Sequence, residues 1–325
     1  MNLLGIKVLG SGSYVPASIL SNKQLESIVE TSDEWISSRT GINQRHIATN
    51  ENTVDLAYQA AKQAIADANI NPEEIGMIIV ATFTPEQLTP STACLVQSYL
   101  GLNDRPMIAF DINAACSGFV YALTVAEQFL KTGVIKKALI IGAEVLSKIM
   151  DWEDRNTCVL FGDGAGAVVI EHDVTSKNGF YLNSSGDERG LLVTSPIPLI
   201  NPLTESKIEP IHLKMNGQEV FKFAIHAIKE TIHELLEQSN LTMSDINLVI
   251  PHQANKRIID KVVKDLKVPS EQFFLNLANY GNTSAASIPI ALKEAIITGR
   301  VKSGDNIMLI GFGGGLTWGG CIISL

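Results

Sequence analysis

"CSGFVYALTVAEQFLKTG", residues 116–133, recurs later in the chain as "NTSAASIPIALKEAIITG", residues 282–299. The two align at an offset of 166, which sets Cys116 against Asn282. In each, small polar residues give way to an apolar helical pattern that closes on a glycine. Two more pairs follow the same order. "NINPEEIGMIIVAT" (69–82) resembles "NLTMSDINLVIPHQ" (240–253) at an offset of 171, placing Ile75 against Ile246 and Ala81 against His252. "LFGDGAG" (160–166) resembles "GFGGGLT" (311–317) at an offset of 151. Three matches in register, with slowly drifting offsets, read as an internal duplication. Each half, residues 1–174 and 175–325, is then one layered βα unit, and the two meet face to face.

The local patterns agree with that plan. "VDLAYQAAKQAIADANI" has helical periodicity, and "IGMIIVATF" is a short apolar strand after the turn "NINPEE". "KKALIIGAEVL" and "GAGAVVIEH" are further strands, so the chain alternates as an α/β protein does. The one long loop-like stretch is roughly 184–211, rich in Ser, Pro and Gly.

Cys116 stands within "DINAACSGFVYAL" (111–123), where a turn suited to Asp111 and Asn113 becomes an apolar helix. A thiol in a helix's first turn faces unpaired N–H groups and the positive end of the dipole, which lowers its pKa. The plain alternative for this stretch alone is a small core residue. The duplication shifts the balance, because pseudo-twofold symmetry brings equivalent helix starts together. Cys116 then lies near Asn282, with His252 arriving from the strand "INLVIPHQAN". Cys, His and Asn converging make a nucleophile and its activators.

Composition bounds what such a site serves. The chain has 325 residues, 46% hydrophobic and 18% charged, with a formal charge of −9, which argues against nucleic acid as a partner. Cysteines 94, 116, 158 and 321 lie far apart with no CxxC pair, so neither a metal site nor a disulfide framework is expected. Cys94, Cys158 and Cys321 fall in apolar runs and read as inert core thiols. "MNLLGIKVLGSGSYVP" lacks a basic n-region, and no apolar run reaches about 18 residues, so a soluble cytoplasmic protein without membrane contact is expected. "GFGGGLTWGG" lies at the C-terminus with no helix or ribose-binding acid to follow, which sets aside a dinucleotide loop.

"TSDEWISSRTGINQRHIA", "AACSGFVYAL", "LFGDGAGAVVI", "PHQANKRI", "YGNTSAASIPIAL" and "GFGGGLTWG" together resemble the β-ketoacyl-acyl-carrier-protein synthase III family, the condensing enzymes that start bacterial fatty-acid synthesis. These blocks span residues 31–319. The resemblance implies a thiolase-like fold, a duplicated five-layered α/β/α/β/α, usually as a homodimer. It implies that a primer acyl-CoA acylates Cys116, and that malonyl-acyl carrier protein then loses CO2 and condenses with the acyl group. By motif, Cys116, His252 and Asn282 match the catalytic residues. Backbone N–H groups of Cys116 and Gly314 would form an oxyanion hole. Trp35 and Arg155 match the residues that sandwich the adenine of coenzyme A, and Arg39, Gly217, Asn255 and Phe312 match further contacts. No cofactor or metal is implied beyond the coenzyme A thioester itself.

Other members of the fold fit less well. A biosynthetic thiolase would want a second cysteine where Phe312 stands, and an elongating synthase a second histidine where Asn282 stands. A plant-type polyketide synthase shares Cys, His and Asn but lacks "PHQANKRI". "NKRIIDKVVKDLKV" (255–268) reads as an amphipathic helix following His252, with Arg257, Lys261 and Lys264 on one face. Lys256, Arg257 and Lys261, with Lys222 from "GQEVFKFAI", are the expected docking patch for an acidic carrier protein. In "EQLTPSTACLVQ", Thr89 takes the place where many relatives carry a Phe that closes the acyl pocket across the dimer. Leu88 and Thr89 are therefore expected to bound a deeper primer pocket, with Leu88 or Met215 as residues that would refill it.

Overall fold

A computed structural model describes residues 5–173, 179–204 and 209–325. The expected boundary between residues 174 and 175 lies outside the described residues, as does part of the 184–211 loop. Five strands form a first half-sheet: β1 (Ile6–Tyr14), β2 (Met77–Ala81), β3 (Ile108–Ile112), β4 (Lys137–Glu144) and β5 (Gly164–His172). Their order is β3-β2-β4-β5-β1, with β2 parallel to both neighbours and the other pairs antiparallel. Four strands form the second: β6 (Phe180–Ser184), β7 (Leu248–Pro251), β8 (Asn306–Gly313) and β9 (Thr317–Ser324). Here β7 is parallel to β8, and β8–β9 and β9–β6 are antiparallel. The two patterns coincide pair for pair. Even the missing counterpart of β3 survives, as a single parallel bridge between Val249 and Phe273. The half-sheets join through one rung, Lys7 beside Ser324.

The helices of eight residues or more are α1 (Asp33–Thr40), α2 (Thr53–Asp67), α3 (Thr92–Tyr99), α4 (Gly118–Lys131), α5 (Gly217–Ser239), α6 (Lys256–Leu266) and α7 (Ser287–Ile297). Each begins where the sequence offers a cap or a turn: Ser32 accepts the Trp35 N–H ahead of α1, and Asn255 accepts the Arg257 N–H ahead of α6. Strand β2, "MIIVA", is buried on both faces and so reads as a continuous apolar run. Its Met77 and Ile79 face the central helices, where Phe119, Leu123, Ile288 and Leu292 pack between the half-sheets against Ile250 and Leu309. Its Ile78 and Val80 face outward to Leu56, Ala60 and Val96 of α2 and α3. On the far side, Ala224, Ile228, Ile258 and Val262 of α5 and α6 cover Val249 and Met308. Layers therefore run helix, sheet, helix, sheet, helix. Each fully buried Ile, Leu or Phe contributes about 1.5–3 kcal/mol, so two-sided burial of both half-sheets is the main stabilising term.

The structure corrects two alignments. The turns before α4 and α7, Ala115–Ser117 and Ser284–Ala286, are equivalent at an offset of 169, with Ala115 and Ser284 both left-handed (φ 44° and 49°). The counterpart of Cys116 is Ala285, three residues past Asn282. An offset of 166 holds only at the closing glycines, Gly133 and Gly299, because α7 is 11 residues long and α4 is 14. The third match also slips. Gly164 and Thr317 open equivalent strands, but Gly311–Gly313 lie on β8, whose counterpart β4 ends at Glu144. The connection of residues 145–163 is a long excursion, whereas 314–316 is a tight turn. Repetition of "GDG" and "GGG" disguised that difference.

Candidate active site

His252 follows directly on β7 and extends its ladder, donating its N–H to the Ile310 carbonyl on β8 (2.7 Å). Asn282 is clamped by residues 160–162, donating its N–H to Leu160 (2.8 Å) and accepting from Gly162 (3.0 Å). Cys116 sits in the turn ahead of α4, against β8. A Cβ on Gly313 would stand 2.8 Å from both the backbone nitrogen and the Cβ of Cys116, so only glycine permits this approach. Cys116, His252 and Asn282 are 4, 1 and 7% exposed and line one cavity of about 130 Å³. The mouth of that cavity includes Gly217, Phe221 and Asn255, and Phe312 meets the His252 ring edge-on at 5.1 Å. A second cavity of about 270 Å³, walled by Phe83, Leu192, Leu213 and Gly314, also reaches Cys116. The thiol thus stands where two apolar cavities meet.

Hydrogen bonds orient both polar partners. The Asn282 Oδ1 accepts the Ser284 N–H (2.9 Å), which leaves the amide NH2 to donate into the cavity. Burial lowers the His252 pKa to about 3, so its ring is neutral. Its Nδ1 lies 2.7 Å from Ser287 Oγ, and that oxygen also accepts the Gln253 N–H (3.3 Å). Ser287 then satisfies its own hydroxyl hydrogen by donating to Nδ1; the opposite tautomer leaves that hydrogen without a partner in a buried site. Nε2 carries the proton. The cavity therefore presents two N–H donors beside a thiol.

Cys116 departs from expectation. Burial pushes its pKa up to about 12, and an ionised Glu144 pushes it further in the same direction. Being fully enclosed outweighs the helix dipole, whose effect is about 0.3–1 kcal/mol at exposed sites. Asp111 does not cap the α4 turn. Its carboxylate accepts the Thr92 and Ala93 N–H groups at the start of α3 (2.7 and 2.8 Å), while Asn113 Oδ1 accepts from Ala115 (3.2 Å). Cys94 is exposed on α3, contrary to its apolar setting in sequence; Cys158 and Cys321 are buried.

The outer residues divide into groups. Arg39 and Arg155 each place a guanidinium 5.2 Å from the Trp35 ring centre, and Asn255 donates to the Arg39 carbonyl (3.1 Å), tying this cluster to the start of α6. The expected basic patch is largely neutralised. Lys256 pairs with Asp260 (2.7 Å), Lys261 with Asp265 and Lys222 with Glu219 (2.7 Å), because the same helices carry acids three or four residues away. Arg257 forms no ion pair among the described residues and lies over Phe221 at the cavity mouth (6.0 Å). Leu88 is 80% exposed and Thr89 is exposed; within this chain neither lines a cavity at Cys116, where Phe83 takes that position. Met215 lines the first cavity rather than the second. Ser287, Ser284, Glu144 and Phe83 escaped the sequence reading. Glu144 alone left a signal, as a lone acid closing the apolar run "ALIIGAE".

Comparison with known proteins places this geometry among condensing enzymes. The family model for 3-oxoacyl-(acyl-carrier-protein (ACP)) synthase III matches residues 110–187, and the model for the C-terminal part of the same family matches residues 236–325. A β-ketoacyl-acyl-carrier-protein synthase III from Clostridium perfringens (strain SM101 / Type A) is 52% identical, across 98% of this chain and 99% of its own length. The crystal structure of 3-oxoacyl-acyl-carrier-protein synthase III from Aquifex aeolicus VF5 superposes with a TM-score of 0.90 at 47% identity, covering 99% of this chain and 100% of that one. The priming β-ketosynthase from the R1128 polyketide biosynthetic pathway superposes at 0.92 with 33% identity, covering 100% of this chain and 97% of that one.

Proposed function

Because this chain belongs to the β-ketoacyl-acyl-carrier-protein synthase III family, we propose that Cys116, His252 and Asn282 divide the two stages of its reaction between them. The enzyme is an acyltransferase that performs the initiating condensation of fatty-acid synthesis. It joins a primer acyl-CoA to malonyl-acyl carrier protein and releases CoA, CO2 and 3-ketoacyl carrier protein. In the first stage Cys116 attacks the primer thioester, and the backbone N–H groups of Cys116 and Gly314 receive the developing oxyanion. In the second, the His252 Nε2–H and the Asn282 amide donate to the malonyl thioester oxygen as CO2 departs and the enolate forms. The enolate carbon then attacks the Cys116 thioester. These donors matter because they are fixed beforehand on side chains that are almost fully buried. A neutral histidine whose Nδ1 is held by Ser287, beside an amide whose oxygen is already bonded, is the observation that carries this division.

Coenzyme A would enter past Trp35, Arg39 and Arg155, its adenine separating the Arg155 guanidinium from the Trp35 ring, and reach Cys116 along Gly217, Asn255 and Phe312. We assign the chain to a cytoplasmic homodimer of two duplicated halves, 1–174 and 175–325. No helix among the described residues is long and apolar enough to cross a membrane.

Carrier-protein docking centres on Arg257, since Lys222, Lys256 and Lys261 must first exchange an acid on their own helix. Arg257→Glu should raise the KM for malonyl carrier protein roughly three- to tenfold, the scale of one or two exposed charge pairs, and leave that for acyl-CoA nearly unchanged. The wild-type carrier-protein KM should rise with salt. A KM independent of both salt and Arg257 rules out this face.

One turnover assay with malonyl carrier protein and a panel of acyl-CoA primers tests the whole reading, and 3-ketoacyl carrier protein is the expected product. Butyryl or branched primers should react at rates comparable to acetyl-CoA, because Thr89 removes most of a ring from the partner-facing end of the pocket. Each methylene accommodated is worth about 0.8 kcal/mol. Thr89→Phe should return the preference to acetyl-CoA. A wild type that already rejects butyryl-CoA, and does not change with Phe, shows that Thr89 is not the pocket's end.

A further inference from the structure

Two buried polar groups beside Cys116 have no part in the reaction as drawn above. Glu144 closes β4. Its Oε2 accepts from Thr82 Oγ1 (3.1 Å), Phe83 N (3.3 Å), Thr84 N (3.2 Å) and Thr84 Oγ1 (2.5 Å), whereas its Oε1 has no partner. The Ser284 hydroxyl is equally buried and unpartnered. It lies close enough to the Cys116 sulfur and to the Glu144 carboxylate to favour the charged form of each, without the geometry of a full hydrogen bond to either. The backbone holds it there, with φ at 49° and its N–H on Asn282 Oδ1. Gly142 lets β4 press against this turn, since a Cβ there would stand 2.2 Å from the Ala285 carbonyl oxygen.

His252 does not take the Cys116 proton. His252 Nε2 already carries a hydrogen, and its ring resists a second one. We propose that Ser284 relays the Cys116 proton to Glu144, which holds it for the lifetime of the acyl-enzyme. The S–H bond breaks as its electron pair forms the bond to the acyl carbon. The proton passes to Ser284 Oγ, and the Ser284 hydroxyl proton passes to Glu144 Oε1. CoA leaves as a thiolate and takes a proton from the medium. When the enolate later attacks, Cys116 departs as a thiolate and recovers its proton along the same path. Burial sets the Glu144 pKa at about 7, suited to taking and returning a proton at neutral pH. Lys148 couples electrostatically to Glu86, Glu144 and Asp163, with its ammonium on the Thr84 and Pro85 carbonyls (2.6 and 3.1 Å).

This inference rests on Cys116 being the nucleophile, so the test follows label from acetyl-CoA onto Cys116 itself, before steady state and from pH 5.5 to 9. Wild-type acylation should climb through pH 7 as Glu144 ionises, with a proton taken up from the medium for each CoA released. His252 titrates far below that range and contributes no inflection. Ser284→Ala and Glu144→Gln should acylate about 10²–10⁴-fold more slowly, the usual range for a lost proton-transfer partner. Glu144→Gln should also lose the inflection near 7, and Glu144→Asp should recover part of the rate. Ser284→Ala removes one oxygen and leaves every carboxylate bond in place, so it decides the matter should Glu144→Gln fail to fold. Wild-type rates in Ser284→Ala, or an unchanged pH profile in a folded Glu144→Gln, overturn the relay while leaving Cys116 as nucleophile. Absence of label on wild-type Cys116 overturns both.

Discussion

Cys116→Ser should take up no acyl group from labelled acetyl-CoA, a loss of at least about 10⁴ in rate, or about 5–6 kcal/mol of transition-state stabilisation. The substitution is small and sits in a packed turn, so the fold should survive. What disappears is nucleophilicity. A serine hydroxyl needs a strong base within hydrogen-bond reach. Here the His252 Nδ1 is occupied by Ser287, its Nε2 is already protonated, and the carboxylate behind Ser284, with a pKa of about 7, is too weak a base for a hydroxyl. Burial pushes even the Cys116 thiol up to about 12, and a hydroxyl in the same place ionises far less readily. Stoichiometric label on the serine enzyme would remove Cys116 from the mechanism. Alkylation is a useful second measurement only if read peptide by peptide, because Cys94 is exposed and will react as well.

Much of the arrangement was legible in the chain, and what was missed has definite causes. The duplication could be read because each half repeats a strand, a helix and a turn in order. The match of residues 69–82 to 240–253 holds in space, with β2 and β7 equivalent and His252 one step past the strand's end. The match at Cys116 slipped by three residues because α4 and α7 differ by most of a helical turn, and small residues on both sides align equally well at either offset. Ser287 and Ser284 were unreadable for another reason. Each faces a group that only the fold brings to it, Ser287 a histidine 35 residues away and Ser284 a strand of the other half. Charge was misread in two ways. The sequence suggests a thiol activated by a helix terminus, but enclosure by both half-sheets dominates. It also suggests a bare basic face on α6, where Asp260 and Asp265 stand four residues from Lys256 and Lys261 and pair with them.

His252→Ala and Asn282→Ala should each lose about 10²–10³ in malonyl-carrier-protein decarboxylation while keeping substantial acylation of Cys116, because removing one fixed oxyanion donor costs roughly that much. The asymmetry follows from where the donors point. In the division proposed above, acylation draws on backbone N–H groups at Cys116 and Gly314, which neither substitution touches, and decarboxylation on the two side chains. Asn282→Asp is the sharper variant. Its carboxylate can still accept the Ser284 N–H, so the turn stays in place, yet it has no hydrogen to offer an enolate and adds a like charge. It should decarboxylate no faster than Asn282→Ala. Sign and pH follow from the same geometry. A His252 that protonates only near pH 3 is fully neutral above about pH 5, so its donor role should give a decarboxylation rate flat from pH 5 to 8 wherever the carrier protein stays folded. An inflection near 6.5 that vanishes in His252→Ala would mean that the ring titrates in the working site and gives up a proton instead of sharing one. Normal decarboxylation by both alanine variants would mean that the enolate is stabilised elsewhere.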